Sequence, residues 1–124
     1  MLARQYRLRQ SRDINRVYAR GRFGAGGQLQ VKALKTRWPQ SRVAIVVSRK
    51  VSKQAVVRNR IKRRLAAQLA LAWETVPVGY DIVVSVREDV SQAPVASLRT
   101  QLEAGLAGSG LIIKNTKGQN SNAD

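Results

Sequence analysis

The chain has 124 residues, 44% of them hydrophobic, which is enough for one domain with a small core. It has no Cys and no His, which excludes disulfide frameworks, zinc sites built on those residues, Cys nucleophiles and His general bases. Lys and Arg total 23 against 7 Asp and Glu, a formal net charge of +16, and a folded domain this basic calls for an anionic partner.

The excess charge is one-sided. Residues 1–64 carry 19 cations and a single acid, Asp13, whereas residues 65–124 carry 4 cations and 6 acids. One domain of this length with such a split is read as having a basic face built from its N-terminal elements. Residues 1–10 are polar and basic and read as extended or mobile. Ser11 or Asp13 is a candidate N-cap for a short helix marked by Ile14, Val17 and Tyr18, with Gly21 as a candidate C′ glycine. Gly24, Gly26 and Gly27 then read as a flexible or tightly turned stretch around Phe23. Leu29, Val31 and Ala33 alternate with Gln30 and Lys32, which is strand periodicity. Residues 38–41 form a turn that leaves Trp38 partly exposed, and residues 42–48 hold a buried strand.

The clearest helix spans residues 52–73, with Val57, Ile61, Leu65, Leu69 and Ala72 on one stripe and Trp73 in the core. Residues 80–86 form another strand, and residues 88–93 a polar connection. Leu98, Leu102 and Leu106 mark a final helix over residues 94–106. Residues 114–124 have almost no apolar side chains and read as a disordered polar tail, so the single domain is placed at residues 1–113. No apolar run is long enough to cross a bilayer, and residues 1–12 lack the apolar stretch of a secretory signal. The expected location is the cytoplasm.

The densest chemical feature is Arg49, Lys50, Lys53, Arg58, Asn59, Arg60, Lys62, Arg63 and Arg64, eight cations within sixteen residues and no acid. At about 100° per residue, Arg60, Arg63 and Arg64 fall opposite the apolar stripe, and Arg58 and Lys62 flank it. Like charges at these spacings destabilise the helix, and a merely solvated helix would carry Glu partners. The dominance of Arg suits bidentate phosphate contacts. Strands alongside phosphate-type residues favour RNA over DNA, which a helix-turn-helix reader would contact with a mostly helical chain. A membrane-surface helix is disfavoured because the core needs the apolar stripe. The seven acids are read as solubilising loop charges, with Asp81 at most capping a strand edge, and no catalytic or metal-ligating set emerges. Tyr18 and Phe23 lie in the basic half. Tyr18 either stacks on a base or packs the first helix on the sheet.

Residues 57–65, Val-Arg-Asn-Arg-Ile-Lys-Arg-Arg-Leu, closely resemble the bacterial ribonuclease P protein component. The resemblance extends upstream through Val43 to Lys53, and through Arg7-Leu8-Arg9 to Gly21. Downstream it takes in Gly79-Tyr80-Asp81-Ile82-Val83-Val84, so that about 100 residues are covered. It implies an α+β fold of three helices and a small mixed sheet in the order α-β-β-β-α-β-α, similar to a ribosomal-protein domain with a left-handed βαβ crossover. It implies the small subunit of a ribonucleoprotein that removes the 5′ leader from precursor tRNA. In that family the RNA subunit holds the catalytic Mg²⁺, so the protein is expected to bind no cofactor and to carry no catalytic residue.

Carried over by position, Arg58, Asn59, Arg60, Lys62, Arg63 and Arg64 are the contacts to the catalytic RNA, with Arg49, Lys50 and Lys53 in the loop feeding them. Asn59 either bonds RNA or caps the helix. The family's leader cleft maps to Ile14, Tyr18 and Lys32. Ile14 and Lys32 stand where the family usually has aromatics, so Lys32 is expected to supply charge in place of stacking. The expected partners are the catalytic RNA and precursor tRNA, with neither DNA nor membrane. The competing readings are a structural ribosomal or ribosome-assembly protein and a self-sufficient nuclease.

Overall fold

Side chains alternate across a strand, so each strand that reads apolar–polar commits one face to a core. In the computed structural model, which describes residues 3–111, β1 (Arg22–Gly26), β2 (Leu29–Lys35), β3 (Arg42–Val47) and β4 (Tyr80–Val86) form one sheet in the order β1-β2-β4-β3. β2 is antiparallel to both β1 and β4, and β3 is parallel to β4. A parallel pair needs a crossover, and α2 (Ala55–Ala72) supplies it. With α1 (Ser11–Arg20) and α3 (Val95–Gly108) the order is α-β-β-β-α-β-α, the expected α+β class with a mixed sheet. The polar tail at residues 114–124 and the last two residues of the 1–113 unit lie outside the described residues.

The sheet is covered on both sides, unequally. On one face Leu29 and Val31 of β2 and Ile82 and Val84 of β4 pack with Ile61, Leu65 and Leu69 of α2 and with Leu98, Leu102 and Leu106 of α3. Each such side chain contributes about 1.5–3 kcal/mol of burial. On the other face lies a smaller cluster of Leu8, Val17, Ala44 and Val83, edged by Ile14, Leu34 and Val46. α1 covers β2 and β4 there and leaves the outer side of β3 open.

One local expectation is narrowed and three are corrected. Of the extended and mobile readings of the basic N-terminal segment, the extended one holds around Leu8, and it is anchored: the Leu8 N–H donates to the Val43 carbonyl at 2.9 Å, Arg7 bridges Val43 in parallel, and Leu8 is 4% exposed. Gly24 and Gly26 sit in a strand, not a turn. A Cβ on Gly24 would lie 2.0 Å from the Gly105 carbonyl, and one on Gly26 2.3 Å from that of Gln101. These glycines let α3 lie directly on β1. Neither Ser11 nor Asp13 caps α1, whose N-cap position is Gln10 with no side-chain bond, and Gly21 ends the helix at φ −68°, outside the left-handed region.

The third correction concerns the acids. Asp13 and Asp81 are both buried, the latter 1% exposed. Arg42 and Asp81 are register partners across β3 and β4. Arg42 donates from Nε to Oδ1 at 3.0 Å and from Nη2 to Oδ2 at 2.9 Å. Asp13 adds a second carboxylate 3.7 Å from the same guanidinium. Burial of a carboxylate is tolerated only with such a partner, so these two acids hold α1 and β4 to the first residue of β3.

Candidate nucleic-acid interface

The cations reach their positions through a short structured loop. After β3, the Val51 N–H donates to the Ser48 carbonyl, and the Ser48 and Ser52 hydroxyls accept from the N–H groups of Lys50 and Gln54. This turn leaves Arg49, Lys50 and Lys53 exposed. α2 then starts after Gln54, so Asn59 lies within the helix, exposed, and does not cap it. Ile61, Leu65 and Leu69 point inward, and Arg60, Lys62 and Arg63 are exposed.

Two of the arginines turn inward. Arg58 donates from Nη1 to the Ser52 carbonyl at 2.9 Å and so ties the first turn of α2 to its own loop. Arg64, expected to face away from the stripe, sits only about 100° round the helix from Leu65. It is half-buried. Its Nη1 donates to the carbonyls of Val90 at 2.8 Å and Ser91 at 2.9 Å, and its Nη2 to that of Ala93. Arg64 therefore fastens the β4–α3 connection to α2.

Among the described residues no cation of α2 makes a salt bridge to a carboxylate. The acid whose charge reaches this face is Asp89. Its carboxyl is held below the ordinary value mainly by the Ser91 hydroxyl, then by the Ser91 N–H, with a small contribution from Arg60.

Lys62 and Arg63 continue into a groove of about 340 Å³. Its floor is Ala44 and Val46 of β3 with Ile14 of α1, and its opposite rim is Arg7 and Arg9. The three predicted cleft residues separate here. Ile14 lines this groove, whereas Tyr18 and Lys32 meet beside it over β2 and β4. Lys32 Nζ donates to the Tyr18 carbonyl at 2.6 Å and lies 6.0 Å from the ring centroid. The Tyr18 hydroxyl is 3.1 Å from Ser85 Oγ, and the residue remains 37% exposed. One edge of the ring is thus fixed to the sheet while the side chain keeps solvent access. Phe23, also exposed, pairs with Lys32 in the β1–β2 register.

A family model described as Ribonuclease P matches residues 2–109. The ribonuclease P protein component of Symbiobacterium thermophilum is 38% identical over 112 residues, covering 90% of this chain and 96% of the relative. The chain belongs to the ribonuclease P protein family. It is accordingly a protein component of a tRNA-processing endoribonuclease. The fold agrees with solved members: the protein from Staphylococcus aureus superposes with a TM-score of 0.75 at 26% identity, over 94% of this chain and 99% of that one. The Thermotoga maritima protein gives 0.70 at 30% identity, over 78% and 91%.

Two residues of the groove escape a reading based on cation density alone, Arg7 and Arg9. Their signal is alternation: with Leu8 buried in an extended segment, both neighbours project to the other side. Among the described residues no cluster of three acidic side chains is placed to hold a metal, and no helix is long and apolar enough to cross a membrane.

Proposed function

We propose that this chain binds the catalytic RNA of ribonuclease P through the exposed face of α2 and holds the 5′ leader of precursor tRNA along α1 and the outer face of the sheet. The observation that carries the reading is Arg60, Lys62 and Arg63 standing exposed on a helix whose own sequence contains no acid. Such an arrangement costs self-repulsion in the free protein and is relieved by phosphates. Arg49, Lys50, Lys53 and Asn59 extend the same surface. Arg58 and Arg64 shape it from within, through the carbonyls they hold.

The leader then passes from the groove floored by Ile14, Ala44 and Val46 to Tyr18 and Lys32. The apolar floor takes ribose and base surface, and Arg7, Arg9, Lys62 and Arg63 take phosphates. Cleavage is assigned to Mg²⁺ held by the RNA subunit, with the protein lowering the concentration of cation that the complex needs. The test is cleavage of precursor tRNA at low Mg²⁺. The chain alone leaves the substrate intact, the RNA alone is slow, and the two together release the leader. Cleavage by the chain alone, or the absence of any stimulation, overturns this assignment; the latter result together with tight binding to ribosomal RNA points to a ribosomal role.

Tyr18 gives a second measurement. Tyr18→Leu nearly keeps volume and apolarity at a site that is 37% exposed and gives up the hydroxyl contact to Ser85, so folding is retained. Affinity for leader-bearing tRNA is expected to fall by about 1–3 kcal/mol, the value of one base–aromatic stack, while mature tRNA is unaffected and Tyr18→Phe stays near wild type. Equal losses on both substrates, or no loss, assign Tyr18 to packing alone.

A further inference from the structure

The turn between β2 and β3 lies at the end of the sheet away from the start of α2, because β3 runs from one to the other. It carries Trp38 at 57% exposure. Single exposed apolar side chains are common and need no function, but this one is braced. The Trp38 N–H donates to Thr36 Oγ1 at 3.2 Å. Thr36 is itself tied to the Gly79 carbonyl, by its N–H at 2.7 Å and its hydroxyl at 3.2 Å. The Arg42 guanidinium lies 5.1 Å from the indole centroid, and Asp81 and Asp13 hold that guanidinium in place. The turn therefore presents a large π-surface at little further conformational cost.

The surroundings select the ligand. Trp38 lines a groove of about 430 Å³ with Arg16, Leu34, Lys35, Thr36 and Arg37, and Arg42 is not among its lining residues. Of the three cations, Arg16 faces Asp13 at 3.6 Å, Lys35 lies 5.5 Å from the Tyr80 centroid, and Arg37 is exposed without an ion pair among the described residues. An aromatic platform beside several cations is the arrangement that holds single-stranded nucleic acid, the ring taking a base and the cations its flanking phosphates.

We propose that Trp38, with Arg16, Lys35 and Arg37, forms a second RNA contact, a platform that stacks one unpaired base. The proposal rests on the RNA-binding role above and adds a site separate from α2 and from the Tyr18 region. The probe is a short oligoadenylate, with an abasic strand of equal length as control. Oligoadenylate quenches the tryptophan emission of the wild-type chain saturably, and the abasic strand does not. The Trp38→Phe chain retains Trp73 and loses the quench while binding nearly as tightly. Trp38→Ala binds oligoadenylate roughly tenfold more weakly, within the range for loss of one stack.

Quenching that persists in Trp38→Phe, equal quenching by the abasic strand, or unchanged affinity in Trp38→Ala overturns the platform. The Phe readout does not depend on the Ala variant folding. A chain that stimulates the catalytic RNA but shows no Trp38 quench sinks this proposal alone. A chain that quenches but never stimulates sinks the proposed action on the catalytic RNA alone.

Discussion

Replacing Arg64 with alanine is expected to lower the melting temperature by about 10 °C, whereas Arg60→Ala and Arg63→Ala leave it nearly unchanged. Arg64 spends three of its five N–H donors on the carbonyls of Val90, Ser91 and Ala93. Val90 is itself 1% exposed and part of the main core. Hydrogen bonds from a charged donor contribute about 1.5–3 kcal/mol each, and a buried carbonyl left without a partner costs a comparable amount. Arg64 is only half-buried, so water replaces part of what is lost. A net loss of about 2–3 kcal/mol follows, at about 4 °C per kcal/mol for a chain of this size. Arg64→Lys recovers part of the loss, because a single ammonium does not reproduce the planar fork. Exposed Arg60 and Arg63 hold nothing inside the protein, and their removal changes stability by no more than about 0.5 kcal/mol. Thermal unfolding followed by circular dichroism measures all four variants. An Arg64→Ala chain that melts with the wild type contradicts the bracing role.

The strands and helices were legible where one periodicity ran unopposed. Residues 80–86, with the apolar run Ile82-Val83-Val84, and the 61–65–69 stripe needed nothing beyond an apolar run of strand length and the helical repeat, and both appear as expected in β4 and α2. Misreadings arose where a residue's usual meaning was displaced by a partner distant in sequence. Gly24 and Gly26 look like turn formers, yet their role is set by the carbonyls of Gly105 and Gln101 on α3. Asp81 looks like a strand-edge charge until β3 brings Arg42 to it in parallel register. Leu8 was hidden by the basic residues around it, although one apolar side chain between two arginines in an extended segment is itself a strand signal.

The candidate site divides the same way. The density of cations and the lack of acids in residues 49–64 are local properties and could be read directly. Which guanidinium groups stay in solvent is decided by nearby carbonyls, one in the loop before α2 and three in the β4–α3 connection. No helical wheel contains those groups. Ile14 and Tyr18 share a helix, but the groove beside β3 takes only Ile14, because α1 lies over β2 and β4.

That division determines the variant with the largest effect on binding. Arg60→Ala, Lys62→Ala and Arg63→Ala combined remove three exposed cations and no internal hydrogen bond, whereas any combination that includes Arg64 confounds binding with stability. The triple variant is expected to fold like the wild type, with a small gain from relief of like-charge repulsion along α2. Its affinity for the catalytic RNA is expected to fall by about 10³-fold at moderate salt, or roughly 4 kcal/mol, from three phosphate contacts each contributing somewhat more than 1 kcal/mol. The salt dependence is the sharper reading. Each phosphate neutralised adds about 0.7–0.9 to the slope of log affinity against log salt, so the slope flattens by about 2–3. Restoring the three charges as lysines recovers the slope, and recovers affinity only partly at positions 60 and 63 if those arginines engage phosphates with both arms of the fork. A folded triple variant with an unchanged slope shows that the catalytic RNA does not lie on this face of α2.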